Sequence, residues 1–110
     1  MALIQKKVLS GSEEGKRMAL GPEMKLIHEV PQALDYSEIW LYAINNTKKV
    51  QVLHLTVNGE KFDIDLLPSQ GAADLYGGTG ARTHPGDKFE ASCDKDGSIS
   101  MTGWVYEKES

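Results

Sequence analysis

A chain of 110 residues with 40% apolar and 25% charged side chains is too apolar to stay disordered, and it can bury roughly two thirds of its unfolded surface in one core. Its formal charge of −4 comes with lysines and arginines scattered in ones and twos, so no basic stripe neutralises a phosphate backbone and nucleic acid is not an expected partner. The longest apolar run, IWLYAI, falls far short of the ~20 residues that cross a bilayer, MALIQKKVLSG lacks an apolar secretory core, and a single cysteine excludes an internal disulfide. No membrane partner is expected, and synthesis is expected in the cytoplasm.

In the first thirty residues, LIQKKVL and MKLIHEV carry enough aliphatics for strands, SGSEEG and GPE read as turns, and KRMAL is a short third piece. Residues 1–30 are expected to form extra strands or an arm, and residues 31–110 a β-sandwich, in a single domain. SEIWLYAI then alternates Ile39, Leu41 and Ala43 against Trp40, Tyr42 and Ile44. INNTKK supplies a polar turn, and the sequon Asn45-Asn46-Thr47 is read as part of it.

KKVQVLHLTVNGEKFDIDLLP carries the clearest local signal. Asn58-Gly59 tolerates positive φ at both centres of a type I′ turn, which predicts a hairpin pairing about residues 49–57 with 60–67, and Pro68 ends the second strand by removing an amide donor. Together with SEIWLYAI this makes a three-strand meander. The stretch GGTGARTHPGDKFEAS, residues 77–92, reads as a long crossing in which glycines permit reversals and Pro85-Gly86 sets the turn back into the sheet. DKFEASC and SISMTGWVY, joined by DKDG, make a second hairpin. No window of a dozen residues keeps a helical apolar stripe, so helix is limited to a turn or two around PQALDYSE or SQGAADLY. The expected fold is all-β, an antiparallel β-sandwich or small barrel of about seven to eight strands.

Tests for specific chemistry find no complete pattern. GGTGARTHPG lacks the lysine and following helix of a phosphate cradle, and the dinucleotide fingerprint also fails. DKDGSIS starts like a calcium loop, but its glycine comes two residues early and Val105 stands where the closing acid belongs, so a turn is expected; a surface site on Asp94 and Asp96 is the alternative. His28, His54 and His84 have no zinc-ligand spacing. His28 and His54 fall on strands, where a histidine packs or faces solvent, and His84, before Pro85, is extended. Ser69 or Ser92 with His84 and Asp87 would be an arbitrary triad, since no strained elbow presents either serine. Glu60, Asp63, Asp65 and Asp74 supply carboxylates that any acidic β domain would offer. Cys93, alternating with Phe89 and Ala91, reads as a small buried hydrophobe. No enzyme, metal or cofactor is expected.

The aromatic residues remain. In SISMTGWVY, Ile99, Met101 and Val105 oppose a set ending in Trp104 and Tyr106, and in SEIWLYAI both sets are apolar. Two strands thus carry large rings opposite their aliphatics, which suits a sandwich interior, a covering loop or a partner surface.

The order EIWLYAINNT, VQVLHLTVNGE, an aliphatic strand ending in LLP, a glycine-rich segment, PGDKFEAS and SISMTGWVYE covers residues 37–106. It resembles that of small accessory structural proteins of tailed bacteriophages, compact β domains built into the virion. Pro85-Gly86-Asp87 ahead of Lys88 and Phe89 is the most telling element. The resemblance implies a virion protein, either capsid decoration (cement) or a head–tail accessory, that acts through protein–protein contacts with the major capsid protein or other virion proteins. It implies a homo-oligomer, with a trimer suited to decoration. Under this reading Trp40, Tyr42, Trp104 and Tyr106 are the aromatic anchors, joined by Leu75, Tyr76, Arg82 and His84 on the loop. The alternative is a carbohydrate-binding module or receptor-binding tip, because rings on a flat β face also stack on sugars.

Overall fold

The computed structural model describes residues 3–68, 71–76 and 80–109, which form two packed antiparallel sheets. The strands are β1 (Gln5–Val8), β2 (Met18–Ala19), β3 (Lys25–Glu29), β4 (Leu34–Asn45), β5 (Gln51–Val57), β6 (Glu60–Leu66), β7 (Ala72–Asp74), β8 (Ala81–Arg82), β9 (Lys88–Cys93) and β10 (Ile99–Glu109). The first sheet runs β1-β10-β4-β7, with β2 also on β10 and β8 also on β4; the second runs β3-β9-β5-β6. The fold is thus a β-sandwich. Its strands exceed the expected seven or eight because β2, β7 and β8 are only two or three residues long.

Alternation along the long strands places the core. Ile39, Leu41 and Ala43 of β4 and Ile99, Met101 and Val105 of β10 point inward, to meet Leu53, Leu55, Phe89, Ala91 and Cys93 from the second sheet. Each large side chain fully removed from water contributes roughly 1.5–3 kcal/mol. Cys93 is 1% exposed and behaves as the packed hydrophobe that its spacing suggested.

The Asn58-Gly59 hairpin forms with φ of 53° and 83° at the two turn residues, and β5 pairs with β6 from Gln51–Leu66 to Val57–Glu60. Two other local expectations are corrected. β4 does not pair with β5: the INNTKK turn carries the chain across to the opposite sheet, so there is no three-strand meander. DKDG likewise joins β9 in one sheet to β10 in the other, and the second hairpin is an arch. Leu20 and Gly21 lie inside that arch. Leu20 N bonds Ile99 O, Cys93 N bonds Gly21 O, and Gly97 N bonds Leu20 O, so backbone groups of both strands turn to the intruding segment. Asn46 joins the two arches by donating from Nδ2 to Gly97 O at 3.1 Å and Ser100 Oγ at 2.9 Å. Asn45, the sequon residue, spends its side chain on Lys49 O, Leu66 O and the Thr47 amide, as a turn residue does.

Neither candidate helical turn forms among the described residues. PQALDYSE runs into β4, where Leu34 pairs with Glu109, and the described part of SQGAADLY gives β7. Strand pairing overrides weak local propensity there. The early segments sit within the sheets: β1 and β2 pair with β10, and β3 with β9.

Candidate functional site

The outward face of the first sheet gathers the aromatic side chains. Register sets Trp104 opposite Trp40, Thr102 opposite Tyr42, and Tyr106 opposite Glu38. The Trp40 and Trp104 rings stack with centroids 5.9 Å apart and planes 13° from parallel, while Tyr42 lies 5.2 Å from Trp104 on the diagonal. Lys6 of β1 places its ammonium 4.5 Å from the Trp104 centroid. All four rings are half-buried. Stacked aromatic pairs contribute about 0.5–1.5 kcal/mol beyond their burial, so the ladder is held by its own packing.

Glu38 fixes one end of this ladder. Its two carboxylate oxygens accept from Trp40 Nε1 and from the Tyr36 hydroxyl, the latter at 2.6 Å. That hydrogen bond, with burial, raises the Tyr36 pKa, and the Arg82 guanidinium lies 4.2 Å over the Tyr36 ring. Gly80 closes over the same tryptophan. With φ of +68°, it stands so near that a Cβ there would fall 2.5 Å from Trp40 Nε1. Side chains on alternate residues of one strand, Tyr36, Glu38, Trp40 and Tyr42, therefore form a continuous, pre-positioned surface.

Of the residues expected at a contact surface, Trp40, Tyr42, Trp104 and Tyr106 share this face, and Arg82 of β8 adjoins it through Tyr36. Leu75 and Tyr76 do not join them; they pack against the core at the open side of the sandwich. His84 is 86% exposed in a separate turn. Tyr36, Glu38 and Lys6 went unrecognised. The even spacing of Tyr36 and Glu38 with Trp40 was the available signal, whereas nothing local marks Lys6.

The crossing that ends in Pro85-Gly86 is an ordered turn over its described part, residues 80–87; Gly77, Gly78 and Thr79 lie outside the described residues. Asp87 N bonds His84 O, and Gly86 has φ of +86°, as a Pro-Gly turn of type II requires. The Asp87 carboxylate accepts from the His84 amide and from Asn58 Nδ2, both at 2.9 Å, and Asn58 Oδ1 accepts from Lys88 N at 2.8 Å. Partial burial pushes the Asp87 pKa up, but these hydrogen bonds and nearby His84 outweigh it, and the net movement is downward. Asp87 thus staples this turn to the β5–β6 hairpin tip.

Two histidines have unlike surroundings. A register shift between Leu26 and His28 puts two successive side chains, Ile27 and His28, into the interior. His28 Nδ1 accepts from Ser10 N at 3.0 Å, and Nε2 stands 3.9 Å from buried Glu107, whose other oxygen is 3.7 Å from Lys7 Nζ. Burial lowers the His28 pKa to about 4. His54, on the outer face of the second sheet, lies between Asp63 at 2.7 Å and Asp94 at 2.8 Å. Hydrogen bonds to Asp63 and then Asp94 raise its pKa against a smaller desolvation effect. With one carboxylate at each ring nitrogen, the doubly protonated imidazolium is the form that satisfies both.

The remaining chemical combinations do not assemble. Ser92 is buried and pairs with His54, away from His84, and Ser69 lies outside the described residues. Asp94 is engaged by His54, and no group of three or more acids, histidines or cysteines is arranged to hold a metal ion among the described residues. No protein family, curated protein or solved structure matches the chain.

Proposed function

We propose that this chain is a structural docking protein, a capsid-decoration or head–tail accessory component of a tailed-phage virion, that binds other virion polypeptides through the outward aromatic face of its first sheet. The observation that carries the reading is the ladder of Trp40, Trp104 and Tyr42, half-buried on the outward face of the first sheet, with Tyr106 beside it. Aromatic side chains are the common anchors of protein interfaces, because they bury much area with few rotatable bonds. Glu38 and Gly80 hold Trp40 before any partner arrives, which lowers the ordering cost of association.

The same geometry weighs against sugar recognition. A sugar ring stacks on a free aromatic face, but Trp104 has Trp40 and Tyr42 on its β4 side and Lys6 on its β1 side. The rings stack against one another instead of standing free, which suits an interface with a protein partner.

The test is incorporation into particles. Trp104→Ala with Tyr106→Ala, in a chain whose thermal unfolding remains cooperative, is expected to lose copurification with virions at fixed stoichiometry. Unchanged incorporation of the folded double variant overturns the assignment of this face, and glycan-array binding by the free wild-type protein overturns the structural role.

A further inference from the structure

β6 ends the second sheet, so the edge of this strand facing away from β5 is paired with no described strand. The register sets Phe62 opposite Leu55 and Ile64 opposite Leu53, so these residues belong to the inward-facing row. Phe62 nonetheless remains 43% exposed. It borders a groove of about 620 Å³ that is also lined by Leu55, Val57, Ile64, Leu75 and Tyr76. An unpaired edge beside an apolar groove is the arrangement that accepts an added strand: the backbone edge supplies hydrogen bonds and the groove takes alternate side chains.

Charge and exposed apolar surface indicate the occupant. β6 carries Glu60, Asp63 and Asp65 against Lys61 alone. Elsewhere, the two most exposed large aliphatics among the described residues are Leu3, at 71%, and Ile4, at 57%. They precede Gln5-Lys6-Lys7, which has two lysines and no acid. Because Leu3 and Ile4 lie ahead of β1, they can pair with another chain while β1 keeps its ladder to β10. In an extended segment the two side chains point to opposite sides, so one enters the groove and the other lies over the sheet rim.

From these features we infer that the Leu3–Ile4 segment of one copy docks in the β6 groove of a second copy, adding a strand to its second sheet. Lys7 keeps its ion pair with Glu107 of its own copy, and Lys6, held over a ring and by no acid among the described residues, is the positive charge that follows the docked pair toward the acidic β6. The contact joins two different surfaces, so each copy offers one arm and one groove, and the assembly grows into a ring or an open chain. It uses none of the four rings of the aromatic face, which stay available for a different partner.

Analytical ultracentrifugation tests this directly. The wild-type chain is expected to show a weight-average mass above 12.1 kDa that rises with concentration. Phe62→Asp is expected to return it to the monomer mass, as is the double variant Leu3→Asp with Ile4→Asp; losing a central anchor weakens such contacts on the order of 100-fold. The decisive sample mixes the two variants, which together hold one intact arm and one intact groove, and it is expected to give a species of twice the monomer mass. Phe62→Ala replaces Phe62→Asp if the charged variant melts differently, and the arm variant lies outside every strand. A wild-type chain that remains monomeric to roughly millimolar concentration overturns the inference. So does an arm variant that still oligomerises, which would indicate a symmetric contact, or a mixture that stays monomeric.

Discussion

His28 makes the stability of this fold depend on pH in a defined window. The imidazole is 3% exposed, its Nδ1 accepts from Ser10 N, and burial lowers its pKa from the ordinary 6.5 to about 4. Between those values the unfolded chain binds a proton that the folded chain refuses. Stability from this group is therefore fully present above pH 6.5, falls as the pH drops toward 4, and is constant below that. At about 1.4 kcal/mol per pH unit the loss reaches about 3 kcal/mol, a sizeable share of the total for a domain of this length. His28→Asn retains an acceptor for Ser10 N and cannot titrate. Urea unfolding of both proteins at pH 7.5 and at pH 4 isolates the effect, and the wild type is expected to lose about 3 kcal/mol more than the variant. Equal losses would refute the reasoning. A wild type that gains on acidification would show instead that Glu107, 3.9 Å away, stabilises the imidazolium.

His54 acts with the opposite sign: its pKa is raised by Asp63 and Asp94, so its contribution is complete below pH 6.5 and is lost as the pH rises through the folded value. His54→Gln is expected to remove that alkaline loss in urea titrations carried from pH 6 upward. Asp87→Ala leaves the His84 amide and Asn58 Nδ2 without their acceptor and should cost about 1–3 kcal/mol at neutral pH by chemical denaturation. Because the Asp87 pKa is lowered, this difference between wild type and variant should shrink as the pH falls below 3.8. Gly80→Ala meets both a positive φ and the Trp40 indole, and should shift the tryptophan emission spectrum while lowering the melting temperature.

Local turn chemistry was legible in the sequence wherever one turn decides one pairing. Asn58-Gly59 and Pro85-Gly86 adopt the conformations their residues favour. DKDG and INNTKK misled because an arch between sheets uses the same polar and glycine residues as a hairpin within one. What separates the two cases is distant: Leu20 and Gly21 take the backbone groups of β9 and β10 that a hairpin would have paired. The parity of Trp40, Tyr42, Trp104 and Tyr106 showed that two strands carry rings opposite their aliphatics. It did not show that these strands are neighbours, since 60 or more residues separate them and only the ladder brings Trp40 to Trp104. Leu75 and Tyr76, placed among the loop contacts by the resemblance alone, pack against the core and close its side, which no local pattern in SQGAADLY marks.

Side-chain oxidation by hydroxyl radicals, compared between the free protein and the protein assembled on particles, tests docking through the first sheet most directly. Docking there predicts that Trp40, Tyr42, Trp104 and Tyr106 react in the free protein and are protected together on the particle, while exposed residues away from that face, such as His84, react alike in both. Equal oxidation of the four rings in the two states would contradict it.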